Sequence, residues 1–360
     1  MKKVLILANN DVGLYKFRKE LIQQLVKKYK VYISLPYGDF VPNLEDIGCT
    51  FIETPISRRG TNPIKDLKLL LHYRKIIRNI HPDVVLTYTI KPNVYGGIIS
   101  RISNIPYISN ITGLGTAVEN KGILQKITLF LYKLSLEKAK CVFFQNQENE
   151  QFLCNKINIE NRIVLPGSGV NLSQYSLLDY PSSDHINFIF VARVMKEKGI
   201  DQYLDLAKYM YEKKSNMTFH VLGACEGDYE ERLSLMHEEG IINYHGMQSD
   251  VKKFYASSHC TIHPTYYPEG MSNVLLESSA CGRPIITTDR SGCREVVNEG
   301  ENGYIVKQQD SQDLIEKVED FLKLSHESKK EMGLKGRRIV EESFDRNIIV
   351  KAYLEEISKI

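Results

Sequence analysis

The sequence predicts two doubly wound α/β domains in tandem, and three observations carry that prediction. The 360 residues exceed one ordinary domain and suit two. Short apolar runs typical of parallel strands buried on both faces alternate with amphipathic helical stretches along the chain. The alternation lapses around Pro166 to Tyr180, where PGSGVNLSQYSLLDYPSSD is rich in Gly, Ser, Pro and Asp, as an interdomain connection is.

KVLILA at 3–8 is the first apolar run, and a polar loop from Asn9 to Gly13 leads into an amphipathic stretch from Tyr15 to Lys28. Strands are expected next at 31–35, 49–54, 83–88, 106–109 and 141–145, with helices at 63–80, near 93–103 and at 121–138. The second series runs strand 186–192, helix 199–213, strand 217–223, helix 228–239, the short NYHG, helix 249–257, strand 260–264, helix 273–280 and strands 284–288 and 304–306. Helices at 311–324 and 327–341 follow, and 345–359 reads as a last amphipathic helix. The expected division is thus two Rossmann-like domains, 1–168 and 169–344, facing across a cleft, with 345–360 packing back on the first. Open α/β sheets place ligands beyond the carboxyl ends of their strands, so function is to be sought in the loops there.

A hydrophobic fraction of 42% and a charged fraction of 25%, without low-complexity tracts, exclude a largely disordered or fibrous chain. No run reaches the roughly 18 to 20 apolar residues of a membrane span, and MKKVLILANND turns polar too soon for a signal-peptide core; a cytoplasmic protein is expected. The seven cysteines (49, 141, 154, 225, 260, 281, 293) form no Cys-x-x-Cys pair, which suggests buried free thiols rather than a disulfide frame or zinc site. Residues 1–170 hold 24 Lys and Arg against 13 Asp and Glu, whereas residues 171–360 hold 23 against 31. The basic first half suits a phosphorylated substrate, an anionic membrane face or nucleic acid; a solvated lysine-rich surface is the plain alternative.

The dinucleotide fingerprint is absent, since Gly167-Ser168-Gly169 lacks the third glycine and opens no convincing helix. There is no Gly-x-x-x-x-Gly-Lys-Ser/Thr loop and no Asp-x-Asp to hold a metal on a nucleotide diphosphate, so phosphate charge must be met by protein groups. FIFVARVMKEKGID (188–201) puts Arg193 just beyond a buried strand and Lys198 beside Gly199 where the next helix starts. Two cations there suit a diphosphate, and helix N-terminal N–H groups add donors. Downstream, TYYPEGMSNVLLESSACGRPII (265–286) carries Glu269 and Glu277 eight positions apart. With Glu269 in the loop and Glu277 in the helix, the carboxylates address opposite ends of an extended ligand whose anionic middle meets the helix N-terminus. Carboxylates accept from vicinal diols, so a sugar at one end and a ribose at the other fit. Glutamates at such a spacing are common by chance, and the flanking PEG and ESSACGRPII set this pair apart.

EGMSNVLLE, with RVMKEKG upstream, GVNLSQY at the crossover and ACGRPIITTD downstream, resembles the retaining glycosyltransferases of family 4, which have the two-domain GT-B fold. The resemblance covers nearly the whole chain. It implies a nucleotide sugar bound by the second domain without metal or other cofactor, with Arg193 and Lys198 on the diphosphate and Glu269 near the sugar hydroxyls. Backbone donors would come from Gly270, Met271, Ser272 and Asn273, a ribose contact from Glu277, and base contacts from 244–251, including His245, Gly246 and Met247. More narrowly, NDVGLYKFRKEL, ISRRGTNPIKDL, TYTIKPNVYGG and NITGLGTA resemble bacterial members that extend polyprenyl-diphosphate-linked oligosaccharides in capsule, O-antigen and N-glycan assembly. Gly13 is then a candidate on the donor side, and Arg18, Arg58, Lys91, Asn110, Thr112 and Gly113 on the acceptor side. Where many relatives carry a histidine after the fourth strand, this chain has Ile90.

The expected function is transfer of a hexose or N-acetylhexosamine from a UDP-sugar to a polyprenyl-diphosphate-linked acceptor, with Glu269, Arg193 and Lys198 as the catalytic candidates. Double displacement needs a carboxylate at the anomeric carbon, whereas the motif assigns Glu269 to hydroxyls, so front-face displacement with retention is the expected course. KGILQKITLFLYKLSLEKAK (121–140) sets Ile123, Ile127, Phe130, Leu131 and Leu134 among Lys121, Lys126, Lys133, Lys138 and Lys140, as a helix lying on the inner face of the cell membrane would. A core helix with a lysine-rich outer face is the alternative. His72, His220 and His263 read as structural. Two other functions stand beside the main one: a UDP-sugar 2-epimerase or hydrolase of similar fold, and a non-catalytic partner subunit. No stacked-aromatic or zinc signature supports nucleic-acid binding.

Overall fold

The computed structural model describes residues 1–56, 62–114, 118 and 122–360. The chain divides into two units, Met1–Gly169 with Arg346–Ile360, and Val170–Asp345.

The first unit is built on seven parallel strands: β1 Lys3–Leu7, β2 Lys30–Leu35, β3 Thr50–Glu53, β4 Val84–Tyr88, β5 Tyr107–Ile111, β6 Cys141–Phe144 and β7 Arg162–Val164, in the order β3-β2-β1-β4-β5-β6-β7. Every residue of β4, β5 and β6 is buried, which is why these strands do not alternate between apolar and charged residues. Side chains alternate between faces. Val4, Ile6, Val84 and Leu86 pack with Leu21 and Leu25 of the helix Asp11–Leu25. Leu5, Leu7 and Val85 pack with Leu69, Tyr73, Ile76 and Ile77 of the helix Pro63–Ile80.

The C-terminal helix Arg346–Ser358 belongs to this unit, with Ile349, Val350, Tyr353 and Ile357 in the β1–β4 core. The Arg346 guanidinium donates to the carbonyls of Gly169 and Lys16, each at 2.9 Å, and pairs with Glu20 at 3.1 Å. Tyr353 lies against Phe143, ring centroids 4.4 Å apart.

Some elements differ from the sequence expectation. The first helix starts at Asp11, because Asn10 caps it by accepting from the Gly13 N–H at 2.6 Å; Gly13 therefore sits in a helical turn rather than a loop. The helix expected near 93–103 is a π-helical turn, Pro92–Gly96, running into Gly97–Ile102. Val41–Asp46 and Gln147–Cys154 are helices too short to show a period in the sequence.

The second unit carries six parallel strands: β8 Ile186–Val191, β9 Met217–Leu222, β10 Asn243–Tyr244, β11 Cys260–His263, β12 Ile285–Thr288 and β13 Gly303–Val306. Their order, β10-β9-β8-β11-β12-β13, is that of a Rossmann doubly wound sheet. Phe188, Phe190, Phe219, Val221 and Ile262 pack with Tyr203, Leu204 and Ala207 of the helix Ile200–Glu212 and with Val318 and Phe321 of Ser311–Lys323. Among the described residues no helix is long and apolar enough to cross a membrane.

Candidate active site

In the second sheet, the connection after β8 runs toward β9 and the connection after its neighbour β11 runs the opposite way toward β12, and a doubly wound sheet binds its ligand at such a switch point. Arg193 and Lys198 follow β8, and Glu269 lies in the loop after β11, so the fold joins at this point two segments far apart in the chain. Gly199 makes the junction possible. Its φ is 77°, and a Cβ there would lie 2.0 Å from the Pro264 carbonyl oxygen, so only glycine lets the Lys198 turn come down on the β11 loop. Lys198 is 9% exposed, and its ammonium forms an ion pair with the Glu269 carboxylate.

Tyr267 serves both cations. Its ring centroid is 4.8 Å from Lys198 Nζ and 5.6 Å from Arg193 Cζ. Arg193 Nη1 also lies 2.9 Å from each carboxylate oxygen of Glu226. Burial works against the Arg193 charge, yet Glu226 and Tyr267 more than offset it, and the pKa is raised above its ordinary value.

The helix Asn273–Ala280 begins just beyond Glu269 and carries Glu277, which is half-buried. One expected donor is otherwise engaged: the Ser272 N–H donates to the Gly292 carbonyl at 2.7 Å, which removes it from the set assigned to a ligand. Gly292 reaches that position with φ 86°, where a Cβ would meet the Gly270 oxygen at 2.9 Å. The first-turn N–H groups from Asn273 onward have no acceptor within the helix and point the dipole's positive end toward this corner. The Met271 side chain is buried with Leu275 and Leu276.

His245 follows β10, which pairs with β9 and so brings it beside His220, Nε2 to Nδ1 2.9 Å. Burial, then the neighbouring His245, lowers the His220 pKa to about 4; burial also lowers that of His245. His245 packs on Phe254 with ring centroids 4.8 Å apart. The Gly246 carbonyl accepts from the Gly223 N–H at 2.8 Å, and Met247 is 76% exposed.

The first-unit candidates separate. Arg18 is buried, its guanidinium 5.1 Å from the Tyr88 ring centroid and 5.8 Å from that of Tyr353. Arg18 sits among the aromatics that seat the C-terminal helix. Lys91 pairs with Asp66 at 2.8 Å. Asn110 is buried near the end of β5, and Thr112 and Gly113 follow it half-buried. Ile90 packs beside the cluster of Val94, Ile111 and Tyr132. Arg58 lies outside the described residues. Sequence reasoning missed Tyr267, Glu226 and the His220–His245 pair. Tyr267, two positions from Glu269, was the most accessible of these; the other contacts arise from strand neighbours. All seven cysteines are free, five of them buried, and among the described residues no three His, Cys, Asp or Glu side chains group as metal ligands.

Residues 181–339 match the family model for glycosyl transferases group 1, and residues 3–146 match that for glycosyl transferase 4-like domains. The N,N'-diacetylbacillosaminyl-diphospho-undecaprenol alpha-1,3-N-acetylgalactosaminyltransferase of Campylobacter jejuni is 26% identical over 375 residues, covering 98% of each chain. A UDP-Gal:alpha-D-GlcNAc-diphosphoundecaprenol alpha-1,3-galactosyltransferase of Escherichia coli is 22% identical over 297 residues, covering 76% of this chain and 74% of its own. The crystal structure of Anabaena HepE, solved with UDP and glucose, superposes with a TM-score of 0.81 at 17% identity over 100% of both chains. The chain is a glycosyltransferase of the GT-B fold, with a 4-like first domain and a group 1 second domain.

Proposed function

We propose that the protein transfers a hexose or N-acetylhexosamine from a UDP-sugar to a polyprenyl-diphosphate-linked saccharide in surface polysaccharide or glycan assembly. The names of the Campylobacter and Escherichia relatives support the acceptor class, and the Escherichia name supports the UDP-linked donor. The observation that carries the reading is the corner at the β8–β11 switch point, where Arg193, Lys198, Glu269 and Tyr267 converge beside a helix N-terminus.

The donor diphosphate lies on Arg193 and Lys198, which supply the positive charge that a metal ion provides elsewhere, so the reaction proceeds without metal or other cofactor. Glu269, held by Lys198, accepts from the donor sugar hydroxyls, and Glu277 from the ribose; the His245–Met247 segment lies along the base. The bond from the anomeric carbon to the diphosphate oxygen breaks as the acceptor oxygen bonds to that carbon from the same face. The acceptor proton passes to the departing diphosphate oxygen, and the configuration is retained. The cations and the helix dipole stabilise the charge that grows on that oxygen.

The helix Ile123–Leu136 supports a membrane-peripheral enzyme. Ile123, Ile127, Phe130 and Leu134 form an exposed apolar stripe at helical spacing, 79%, 51%, 60% and 36% exposed, with Lys126 and Lys133 exposed beside it. This favours an interfacial helix on the anionic inner face of the membrane over a core helix with a polar outer face. The test is incubation of purified protein with UDP-sugars and a polyprenyl-diphosphate-linked N-acetylhexosamine in chelator, with the product anomer read by NMR. An α-linked product supports retention from the usual α-linked donor, whereas UDP release without glycosylated lipid favours the hydrolase or epimerase alternative.

A further inference from the structure

We propose that Glu226 exchanges with the donor diphosphate on Arg193 and, by its charge, speeds departure of the spent nucleotide. The inference rests on the reading of Arg193 as a diphosphate ligand.

The Arg193–Glu226 pair is built by the backbone. The Val194 N–H donates to the Ala224 carbonyl at 2.8 Å, and the Glu226 N–H donates to the Val194 carbonyl at 2.9 Å. The loop after β9 is therefore stitched to the segment that carries Arg193, which sets the Glu226 backbone beside it. Arg193 Nη1 lies 2.9 Å from both Glu226 oxygens. Lys198, the other cation over Tyr267, has its own carboxylate in Glu269. Each cation is thus matched by one carboxylate before a ligand arrives. Glu269 has a task on the sugar; Glu226 has none in the transfer itself.

Its chemistry suits it to the step that follows. A sugar diphosphate carries about two negative charges, whereas free UDP gains most of a third when its terminal phosphate titrates near pH 6. A carboxylate whose backbone is held beside the diphosphate repels UDP more than UDP-sugar. Once the glycosidic bond breaks, Glu226 competes for Arg193 against a product whose added charge it also opposes. The side chains are 40% and 34% exposed, so solvent screens this repulsion and its effect is a modest factor.

The experiment is calorimetric titration of UDP and of a panel of UDP-hexoses and UDP-N-acetylhexosamines into wild type, Glu226→Gln, Arg193→Met and the double variant at pH 7.5, with UDP inhibition measured in the transfer assay. Glu226→Gln keeps an acceptor oxygen for Arg193 and removes the charge. It is expected to tighten UDP about fivefold and UDP-sugar no more than about twofold, with the gap closing in high salt and the common tightening of both ligands lost in the Arg193→Met background, where there is no guanidinium to compete for. Equal tightening of both ligands, or weaker binding of both, overturns the inference, since Glu226 then merely occupies or orients Arg193. Unchanged affinities overturn it as well, with the donor-site reading intact. A folded wild type that binds neither UDP nor any UDP-sugar defeats the donor-site reading, and this inference falls with it.

Discussion

Lys198 and Glu269 share a corner from which water is mostly excluded, so removing either leaves the other as a buried charge without its partner. Lys198→Ala is expected to lower kcat/KM about a hundredfold and to weaken UDP-sugar binding measured by calorimetry in chelator. Lys198→Arg does not rescue it, because a planar guanidinium does not fill the place of a compact ammonium. Glu277→Ala and Glu269→Ala should part company: the first weakens nucleotide affinity, and the second slows turnover of a donor that still binds. Matching small losses in both would contradict the orientation assigned to the ligand. The meeting of Arg193, Lys198 and Glu269 at one corner could be anticipated because the two short segments that carry them each end a strand at the same edge of the sheet. The His220–His245 contact could not, since it exists only through the register of β9 beside β10. The burial of Arg18 was readable in the sequence: it falls four residues after Leu14 and three before Leu21, on the buried stripe of its helix.

Among the elements, the helix Ile123–Leu136 makes a prediction separable from folding. Because Ile127 and Phe130 are exposed, Ile127→Ser with Phe130→Ser should leave the thermal midpoint nearly unchanged while reducing co-sedimentation with anionic vesicles. Unchanged sedimentation would return the stripe to an ordinary surface. The C-terminal helix behaves oppositely. Tyr353 is 1% exposed and packs on Phe143 and beneath Arg18, so Tyr353→Ala should cost the first unit about 3–5 kcal/mol in denaturant unfolding. Most strands and long helices were readable from apolar runs and from periods sustained over several turns. What escaped was local: the capping of Asp11–Leu25 by Asn10, the π-helical turn Pro92–Gly96, and helices of six to eight residues such as Val41–Asp46. A period needs more residues than these possess, and caps are decided by single side chains.

At the scale of the molecule, the buried His259 and His263 and the half-buried His220 tie stability to pH. Burial, the largest cause in each case, lowers His220 and His259 to about 4 and His263 to about 3, and all three lie in Val170–Asp345. His259 shows why the neutral form is kept: its Nδ1 accepts from the Asn187 N–H at 3.1 Å, which a protonated ring cannot do. Unfolded, each returns to about 6.5 and binds a proton that the folded unit refuses, so their contribution to stability is present above about pH 6.5 and lost as pH falls toward 4. The midpoint of the second unit is therefore expected to fall between pH 7 and pH 5. A midpoint flat across that range would contradict the burial of neutral imidazoles.

The decisive measurement is transfer itself, assayed with a UDP-sugar panel and a polyprenyl-diphosphate-linked N-acetylhexosamine in excess EDTA, for wild type and Lys198→Ala. Wild type is expected to form, in chelator, a glycolipid heavier by one hexose or N-acetylhexosamine residue, and the variant almost none. A strict requirement for added divalent metal, or undiminished transfer by Lys198→Ala, would contradict a metal-free site built on Lys198.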